Sequence, residues 1–190
     1  SPNPENPEGF YLAVDIAKKE GADFILGSDP DADRVGLMVN TGNGEFKVLT
    51  GNQTGVLLLD YLIGAKQRTG KMPKNPVALK TIVTTEMARK VAEVNGLNCF
   101  DTFTGFKFLA QKKDQLESSG EGNVIMSYEE SYGYMLGSFV RDKDAVTAAV
   151  AMTEMAAWYA GQGMTLYDAL LALYEKYGFY SERTMNLVMP

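Results

Sequence analysis

The stretch FILGSDPDADRVGLMV, residues 24–39, decides the fold, because it holds two apolar runs separated by a short acidic loop. The runs 24–26 and 35–39 are short and bounded by turn residues, which is typical of β-strands. Within the loop, Asp29, Asp31 and Asp33 alternate along the chain, and Arg34 follows directly. The stretch therefore predicts a strand that ends in a cluster of carboxylates.

Strands and helices alternate on both sides of this loop. Asn6 is the expected N-cap of a first helix and Gly21 its expected end, while Thr165 and Asp168 are spaced as the capping box of the last helix. Helical patterns cover residues 7–20, 52–64, 86–95, 108–117, 144–159 and 166–177, and further strand patterns cover 45–49, 77–83, 97–100 and 124–127. This alternation predicts an α/β fold.

The segment 66–76 has the composition of a domain boundary. It holds two prolines, one glycine and four basic residues, with few apolar groups. We therefore expect one unit over residues 1–66 and a second over 77–180. The tail 181–190 has strand character but no predicted partner strand.

Composition narrows the classes of function. The 190 residues are 45% hydrophobic and 22% charged, as in globular proteins, and the net charge of −6 without a basic block argues against nucleic acid as a partner. The most apolar stretch, 55–65, is interrupted by Asp60, and residues 1–7 do not resemble a secretory signal. These two features predict that the protein does not bind membranes. With a single cysteine, Cys99, no intramolecular disulfide can form, which is typical of a reducing compartment, and we therefore expect a cytoplasmic protein. Histidine is absent, which leaves carboxylates, lysine, hydroxyls or a metal for catalysis.

The acidic loop is best interpreted as a site for Mg²⁺ beside a phosphate. Three adjacent carboxylates repel one another unless a cation offsets their charge, and Mg²⁺ prefers oxygen ligands. Residues i, i+2 and i+4 of an extended chain point the same way, and the planar guanidinium of Arg34 suits phosphate.

The composition of this loop also admits three other interpretations. A solvated acidic turn is common, because Asp and Pro favour turns. An EF-hand would need Gly at Arg34 and Glu at Asn40, so that interpretation fails. A phosphatase with an aspartyl nucleophile also uses paired aspartates after a strand, but it leaves Asp33 and Arg34 unexplained.

A second acidic loop follows the strand 124–127. Its Glu129, Glu130 and Ser131, between two tyrosines, could hold sugar hydroxyls, although an ordinary strand-to-helix connection would have the same composition. Arg141 and Lys143 precede a helix, where cations oppose the helix dipole unless they face an anion or pair with neighbouring aspartates.

Four motifs in order make the chain resemble the α-D-phosphohexomutase superfamily. They are the metal loop Asp-x-Asp-x-Asp-Arg at 29–34, the substrate loop Thr-Gly-Phe-Lys at 104–107, the sugar loop Glu-Glu-Ser at 129–131, and Arg-Asp-Lys-Asp at 141–144. Phe106 stands where the family has tryptophan, and Tyr128 where it has glycine. The residue sequences of the metal loop and the sugar loop are most similar to those of bacterial phosphoglucomutases from the branch related to phosphopentomutases.

The resemblance implies two layered α/β units with mixed sheets, the first one truncated. Residues 1–66 would be the C-terminal half of domain II, 77–180 domain III, and 181–190 the lead into domain IV. It also implies that Mg²⁺ is the cofactor and that hexose phosphate and hexose bisphosphate are the ligands. The implied metal ligands are Asp29, Asp31 and Asp33; the catalytic residues are Arg34 and Lys143, the latter as general acid/base; the substrate-binding residues are Gly105, Lys107, Glu129, Ser131 and Arg141.

The family's phosphoserine loop, Thr-x-Ser-His-Asn-Pro, needs a histidine that this sequence lacks. The resemblance therefore implies that domains I and IV are supplied elsewhere in a longer chain and that these residues alone are inactive. The expected reaction of the whole is the interconversion of glucose 1-phosphate and glucose 6-phosphate. Phosphomannomutase, phosphopentomutase and a non-catalytic module that binds sugar phosphates stay open as alternatives.

Overall fold

The structure, a computed structural model, describes residues 3–183. After a short 3₁₀ turn, Pro7–Phe10, six helices follow in chain order: α1 Tyr11–Glu20, α2 Gly51–Arg68, α3 Glu86–Val94, α4 Phe106–Ser119, α5 Ala145–Ala160 and α6 Leu166–Tyr177. Seven strands alternate with them: β1 Phe24–Ser28, β2 Val35–Asn40, β3 Phe46–Val48, β4 Pro76–Thr81, β5 Asn98–Thr102, β6 Asn123–Glu129 and β7 Gly133–Met135. The predicted α/β fold is confirmed.

The first sheet is antiparallel, in the order β1-β2-β3. Phe24 pairs with Val39 and Ser28 with Val35, so the acidic loop closes the β1–β2 hairpin. The expectation that both sheets are mixed is wrong for this one over residues 3–183. Short loops between consecutive strands reverse the chain and permit only antiparallel pairing, whereas a parallel partner needs a long crossover.

The second sheet is mixed, in the order β5-β4-β6-β7. Strand β4 pairs in parallel with β5 and β6, and β7 pairs antiparallel with β6. Strand β7 lies where the sequence predicts the second acidic loop, so its presence corrects that prediction. It has only three residues. It also follows a tight turn in which the residue with the left-handed conformation is Tyr132, at φ 66°, and not the glycine that such a turn usually has.

Helix α2 packs against the second sheet. It contacts β6 as well as α3, α5 and α6, and residues 56–59 are all buried. Its apolar residues cover more than one face because neighbours surround it. The helix extends to Arg68, into the segment predicted as a boundary. The division of the chain at 66–76 stays a prediction.

Helix α1 differs from expectation at its start. Asn6 makes no side-chain capping hydrogen bond, and the 3₁₀ turn precedes the helix. Gly21 ends it as predicted, with a φ of 67°. The helical spacing of the apolar residues 10, 11, 14 and 17 predicts that Tyr11 lies on the packed face. Tyr11 is instead 66% exposed, because α1 packs on β1 and the preceding turn through its other side.

Within residues 3–183, no helix has both the length and the apolar character needed to cross a bilayer. The predicted strand character of the tail falls mostly on residues 184–190, which lie outside the described part.

Candidate functional site

The acidic loop brings its three aspartates together at the end of β1. One carboxylate oxygen from each of Asp29, Asp31 and Asp33 lies within 4.8 Å of the other two. The loop is tightened by a hydrogen bond from the Ala32 amide to the Asp29 carbonyl, at 3.1 Å, with Ala32 in the left-handed region at φ 55°. Asp29 is buried, Asp33 is half-buried and Asp31 is exposed. The cluster is therefore open to solvent on the Asp31 side.

Arg34 is the counter-ion of Asp29. Its Nε donates to Asp29 Oδ2 at 2.7 Å, and its backbone amide donates to Oδ1 at 3.1 Å. Burial alone would raise the pKa of Asp29, but the hydrogen bonds from Arg34 outweigh it and the pKa of Asp29 is lowered. Sequence reasoning assigned Arg34 to phosphate and missed this pairing. Asp29 thus fixes the position of the Arg34 guanidinium independently of phosphate.

Lys143 pairs with the metal loop from the other side. Its Nζ lies 3.1 Å from Asp33 Oδ2 and 3.3 Å from Asp142 Oδ1. Burial disfavours the ammonium, but the hydrogen bonds to these carboxylates outweigh burial and raise the pKa of Lys143. At Asp33 burial prevails over Lys143, and the pKa of that carboxyl is raised.

Backbone hydrogen bonds join the two loops and the segment 141–144. The amide of Val35 donates to the Tyr132 carbonyl at 3.2 Å, and that of Ala145 donates to the Ala32 carbonyl at 3.0 Å. The amide of Asp144 donates to the Tyr134 carbonyl at 3.0 Å. Three motifs that are far apart in sequence therefore form one cluster.

The second acidic loop turns between β6 and β7, not between a strand and a helix. Gly133 is where the loop approaches Lys143: an added Cβ there would lie 2.8 Å from Lys143 Cγ and 2.9 Å from Glu129 Oε1. Only glycine leaves room for both side chains. Burial raises the pKa of Glu129, and Lys143 partly offsets this. Glu129 and Lys143 consequently border the same space as the metal loop.

The remaining predicted site residues lie in other contacts. Gly105, with φ 108°, precedes α4, and Lys107 is exposed with its Nζ 4.9 Å from the Phe108 ring centre. Arg141 is 74% exposed in its side chain and pairs with Asp114 of α4 at 2.9 Å. Of the substrate-loop motif, Phe106 comes near the cluster, its ring centre 5.3 Å from Lys143 Nζ.

The helix after this segment begins within one residue of its predicted start at 144. Arg141 and Lys143 precede α5, and Asp144 is its N-cap, accepting from the Val146 amide at 3.0 Å. The pairing of Lys143 with Asp142 was foreseen as an alternative to anion binding; that of Arg141 with Asp114 was not.

The donor set fits a hard divalent cation. Neighbouring ligand oxygens of an octahedral Mg²⁺ with bonds of 2.0–2.1 Å lie about 3 Å apart, so three carboxylates whose oxygens lie within 4.8 Å of one another need only small side-chain rotations to bind one ion. Asp31, exposed and outside the ion pairs of Asp29 and Asp33, has oxygens free to rotate toward an ion. The second oxygens of Asp29 and Asp33 are also in contact, since Asp29 Oδ1 accepts from the Arg34 amide at 3.1 Å and Asp33 Oδ1 lies 3.7 Å from Arg34 Nε. Each carboxylate oxygen has two lone pairs, so both residues can still coordinate an ion.

Comparison with protein families gives two matches. Residues 50–177 match the model described as phosphoglucomutase/phosphomannomutase, alpha/beta/alpha domain III, and residues 1–42 match the model of domain II. A phosphoglucomutase of Staphylococcus aureus (strain bovine RF122 / ET3-1) is 37% identical over 182 residues, which are 96% of this chain and 32% of that protein. The chain spans about a third of the length of the curated relatives it matches.

Solved structures agree on the fold. Parafusin, a phosphoglucomutase from Paramecium in its open form, superposes with a TM-score of 0.67 at 22% identity, over 94% of this chain and 30% of that one. Aspergillus fumigatus N-acetylphosphoglucosamine mutase, in complex with GlcNAc-6P and magnesium, superposes with a TM-score of 0.57 at 16% identity, over 88% of this chain and 41% of that one.

The resemblance carried by four short motifs thus extends over nearly the whole sequence and its fold. The chain belongs to the phosphoglucomutase/phosphomannomutase family and corresponds to its domains II and III.

Proposed function

We propose that the chain is part of a phosphoglucomutase that interconverts glucose 1-phosphate and glucose 6-phosphate through a phosphoserine and a hexose bisphosphate. The observation that carries the proposal is the position of Lys143, whose ammonium lies 3.1 Å from Asp33 of the metal loop while its stem passes Gly133 of the second loop. A proton donor, a carboxylate cluster and a polar loop thus border one space. The relatives named as phosphoglucomutases and the magnesium complex of the Aspergillus enzyme support the proposal.

The carboxylates of Asp29, Asp31 and Asp33 would hold Mg²⁺ in this scheme. Bound there, the ion would withdraw charge from the transferring phosphoryl group as a Lewis acid. Arg34, fixed by Asp29, would present its remaining N–H groups to phosphoryl oxygens. Glu129 and Ser131 would form hydrogen bonds with sugar hydroxyls. Gly105, Lys107 and Arg141 would also bind substrate.

Lys143 would serve as general acid/base. Its raised pKa keeps it an ammonium, so it would donate its Nζ proton to the sugar oxygen that leaves phosphorus when the bisphosphate returns a phosphoryl group to the serine. In the reverse direction the neutral amine would take the proton from the attacking hydroxyl.

The test uses the longer protein that would carry this chain together with a phosphoserine. Asp31→Asn should raise the Mg²⁺ concentration for half-maximal turnover of glucose 1-phosphate by on the order of tenfold or more, because one ligand oxygen loses its charge. Asp15→Asn, an exposed acid on α1, is the matched control and should leave that concentration unchanged. An unchanged Mg²⁺ requirement in Asp31→Asn, or no turnover in the wild type, would refute the proposal.

Substrate choice and the inactive-alone prediction need separate assays. Glucose, mannose and pentose phosphates compared in one assay distinguish the phosphoglucomutase from the phosphomannomutase and phosphopentomutase alternatives. The isolated 190-residue chain should bind sugar phosphate without turnover, and full activity in it would contradict the proposed need for a phosphoserine from elsewhere.

A further inference from the structure

Glu130 points away from the candidate site, although it stands between two residues assigned to the sugar. Its Oε2 accepts hydrogen bonds from the hydroxyls of Thr81 and Thr84, each at 3.1 Å. Glu129, by contrast, lies beside Gly133 on the Lys143 side. Neighbouring residues at a strand end point to opposite sides of the chain. Glu130 therefore contacts Thr81 and Thr84, while Glu129 faces the candidate site.

The turn that receives Glu130 is itself fixed by a buried cation. Lys80, fully buried, donates to the carbonyls of Thr81 at 3.4 Å and Thr84 at 3.1 Å. It also pairs with Glu86 at 2.7 Å and Asp101 at 3.0 Å. A buried ammonium persists only where its hydrogen bonds are met, so the residue 81–84 turn has little freedom to move.

The hydroxyl protons explain why a carboxylate stands at position 130. Thr81 and Thr84 lie with their oxygens 2.7 Å apart and are both buried. Each hydroxyl has one proton, so two of the three contacts are hydrogen bonds at any time: either both hydroxyls donate to Glu130, or one donates to the other hydroxyl and the second donates to Glu130. An acceptor-only group suits such a pair of donors. The same carboxylate accepts from the Ser131 hydroxyl at 3.3 Å through Oε1.

The backbone of Glu130 is held from the other side by α2. A Cβ on Gly51, the first residue of that helix, would overlap the Glu130 carbonyl, with the carbonyl carbon at 2.7 Å. The loop then continues into Tyr132, which keeps the uncommon φ of 66°. Such a conformation persists where the surroundings fix the chain on both sides.

We propose that Glu130 is a positioning residue: by binding the Thr81/Thr84 turn, it sets where Glu129 and Ser131 meet the sugar. The kinetic consequence rests on the proposed function, but the structural consequence does not. Loss of the anchor weakens contacts that ground state and transition state share, so it acts mainly on KM.

The kinetic test uses the longer protein with glucose 1-phosphate. Glu130→Ala and Thr84→Val should each raise KM roughly tenfold while kcat falls by less than about threefold. Thr84→Ser restores the hydroxyl and should return KM to near the wild-type value. Thr153→Val is the matched control, because Thr153 is exposed on α5 and, among residues 3–183, its hydroxyl bonds only to Ala149 of its own helix. A wild-type KM in Thr84→Val, with only its melting temperature lowered, would overturn the proposal.

A second measurement does not depend on turnover. In the 190-residue chain, Thr84→Val should shift the amide NMR resonances of Ser131 and Tyr132, whereas Thr153→Val should leave them in place. If the wild-type enzyme lacks mutase activity, the proposed function fails and these resonances alone decide the role of Glu130. If Glu130→Ala does not fold, Glu130→Met, which fills similar space but offers no carboxylate oxygen to Thr81 and Thr84, replaces it; unchanged resonances and KM in that variant count against the anchor.

Discussion

At the residue scale, glycines on helix α2 set how closely it approaches the second sheet. A Cβ on Gly55 would overlap the ring of the fully buried Tyr128, with Cζ at 2.7 Å. A Cβ on Gly64 would meet only the end of the flexible Arg68 side chain, at 2.8 Å. The same residue type is therefore required at one position of the helix and dispensable at another.

Substituting alanine at these two positions should change stability in opposite directions. Gly55→Ala should lower the free energy of unfolding by about 2 kcal/mol or more, because neither α2 nor Tyr128 can move without losing core contacts. Gly64→Ala should leave it unchanged or raise it by up to about 1 kcal/mol, because alanine has the higher helix propensity. Urea unfolding of both variants measures this, and equal effects would contradict the close approach of α2 to β6.

The site residues illustrate what spacing can and cannot predict. Alternation along the chain was enough to place Asp29, Asp31 and Asp33 in one cluster. It could not show that Arg34 pairs with Asp29, since that depends on how the hairpin closes. The role of Glu130 was also out of reach, because its partners Thr81 and Thr84 lie 49 and 46 residues away.

At the element scale, two helices begin with capping boxes of different charge. In α2 the pair is Thr50 and Gln53; in α6 it is Thr165 and Asp168. Hydrogen bonds from Thr165 lower the pKa of Asp168, with burial opposing them only weakly. The lowered folded pKa means that this carboxylate contributes stability above its unfolded pKa and loses that contribution as the pH falls through its folded pKa.

The two caps should consequently respond differently to acid. Thr165→Ala and Thr50→Ala should each lower the free energy of unfolding by about 1 kcal/mol at pH 7. The deficit of Thr165→Ala should shrink as the pH falls below about 4, the pKa of an unfolded aspartate, toward the lower pKa of Asp168 in the folded chain, and that of Thr50→Ala should not. Urea unfolding between pH 3 and 7 tests this; a parallel pH dependence of the two deficits would show that the Asp168 carboxylate adds nothing.

Sequence predicted elements best where local signals are strong. The capping box of α6 and the left-handed Gly21 placed helix ends correctly. Strand β7 could not be predicted because three residues carry too little periodicity. The first sheet is antiparallel and not mixed as predicted, because strand pairing depends on tertiary contacts. Tyr11 was assigned to a packed face for the same reason: periodicity identifies a face but not what covers it.

At the scale of the whole molecule, one hydrophobic core crosses the boundary that composition predicted. It contains Leu37 and Val39 of the first sheet together with Ala78 and Met126 of the second, and α2 lies among them. The backbone bonds between the acidic loops cross the same line. Shared burial of this kind couples the unfolding of the parts that contribute to it.

We therefore expect the chain to unfold as one cooperative unit. Leu37→Ala removes a fully buried side chain from β2 and should lower the free energy of unfolding by roughly 2–5 kcal/mol. Trp158, the single tryptophan, lies in α5 with the Arg68 guanidinium of α2 3.7 Å from its ring centre, so its fluorescence reports on two helices that lie outside the first sheet. The fluorescence and far-UV circular dichroism midpoints should fall together in Leu37→Ala, whereas Val94→Ala, an exposed position on α3, should shift neither appreciably. Two separate transitions, with the one seen by Trp158 unmoved in Leu37→Ala, would mean that the sheets fold independently and that the division at 66–76 is a true domain boundary.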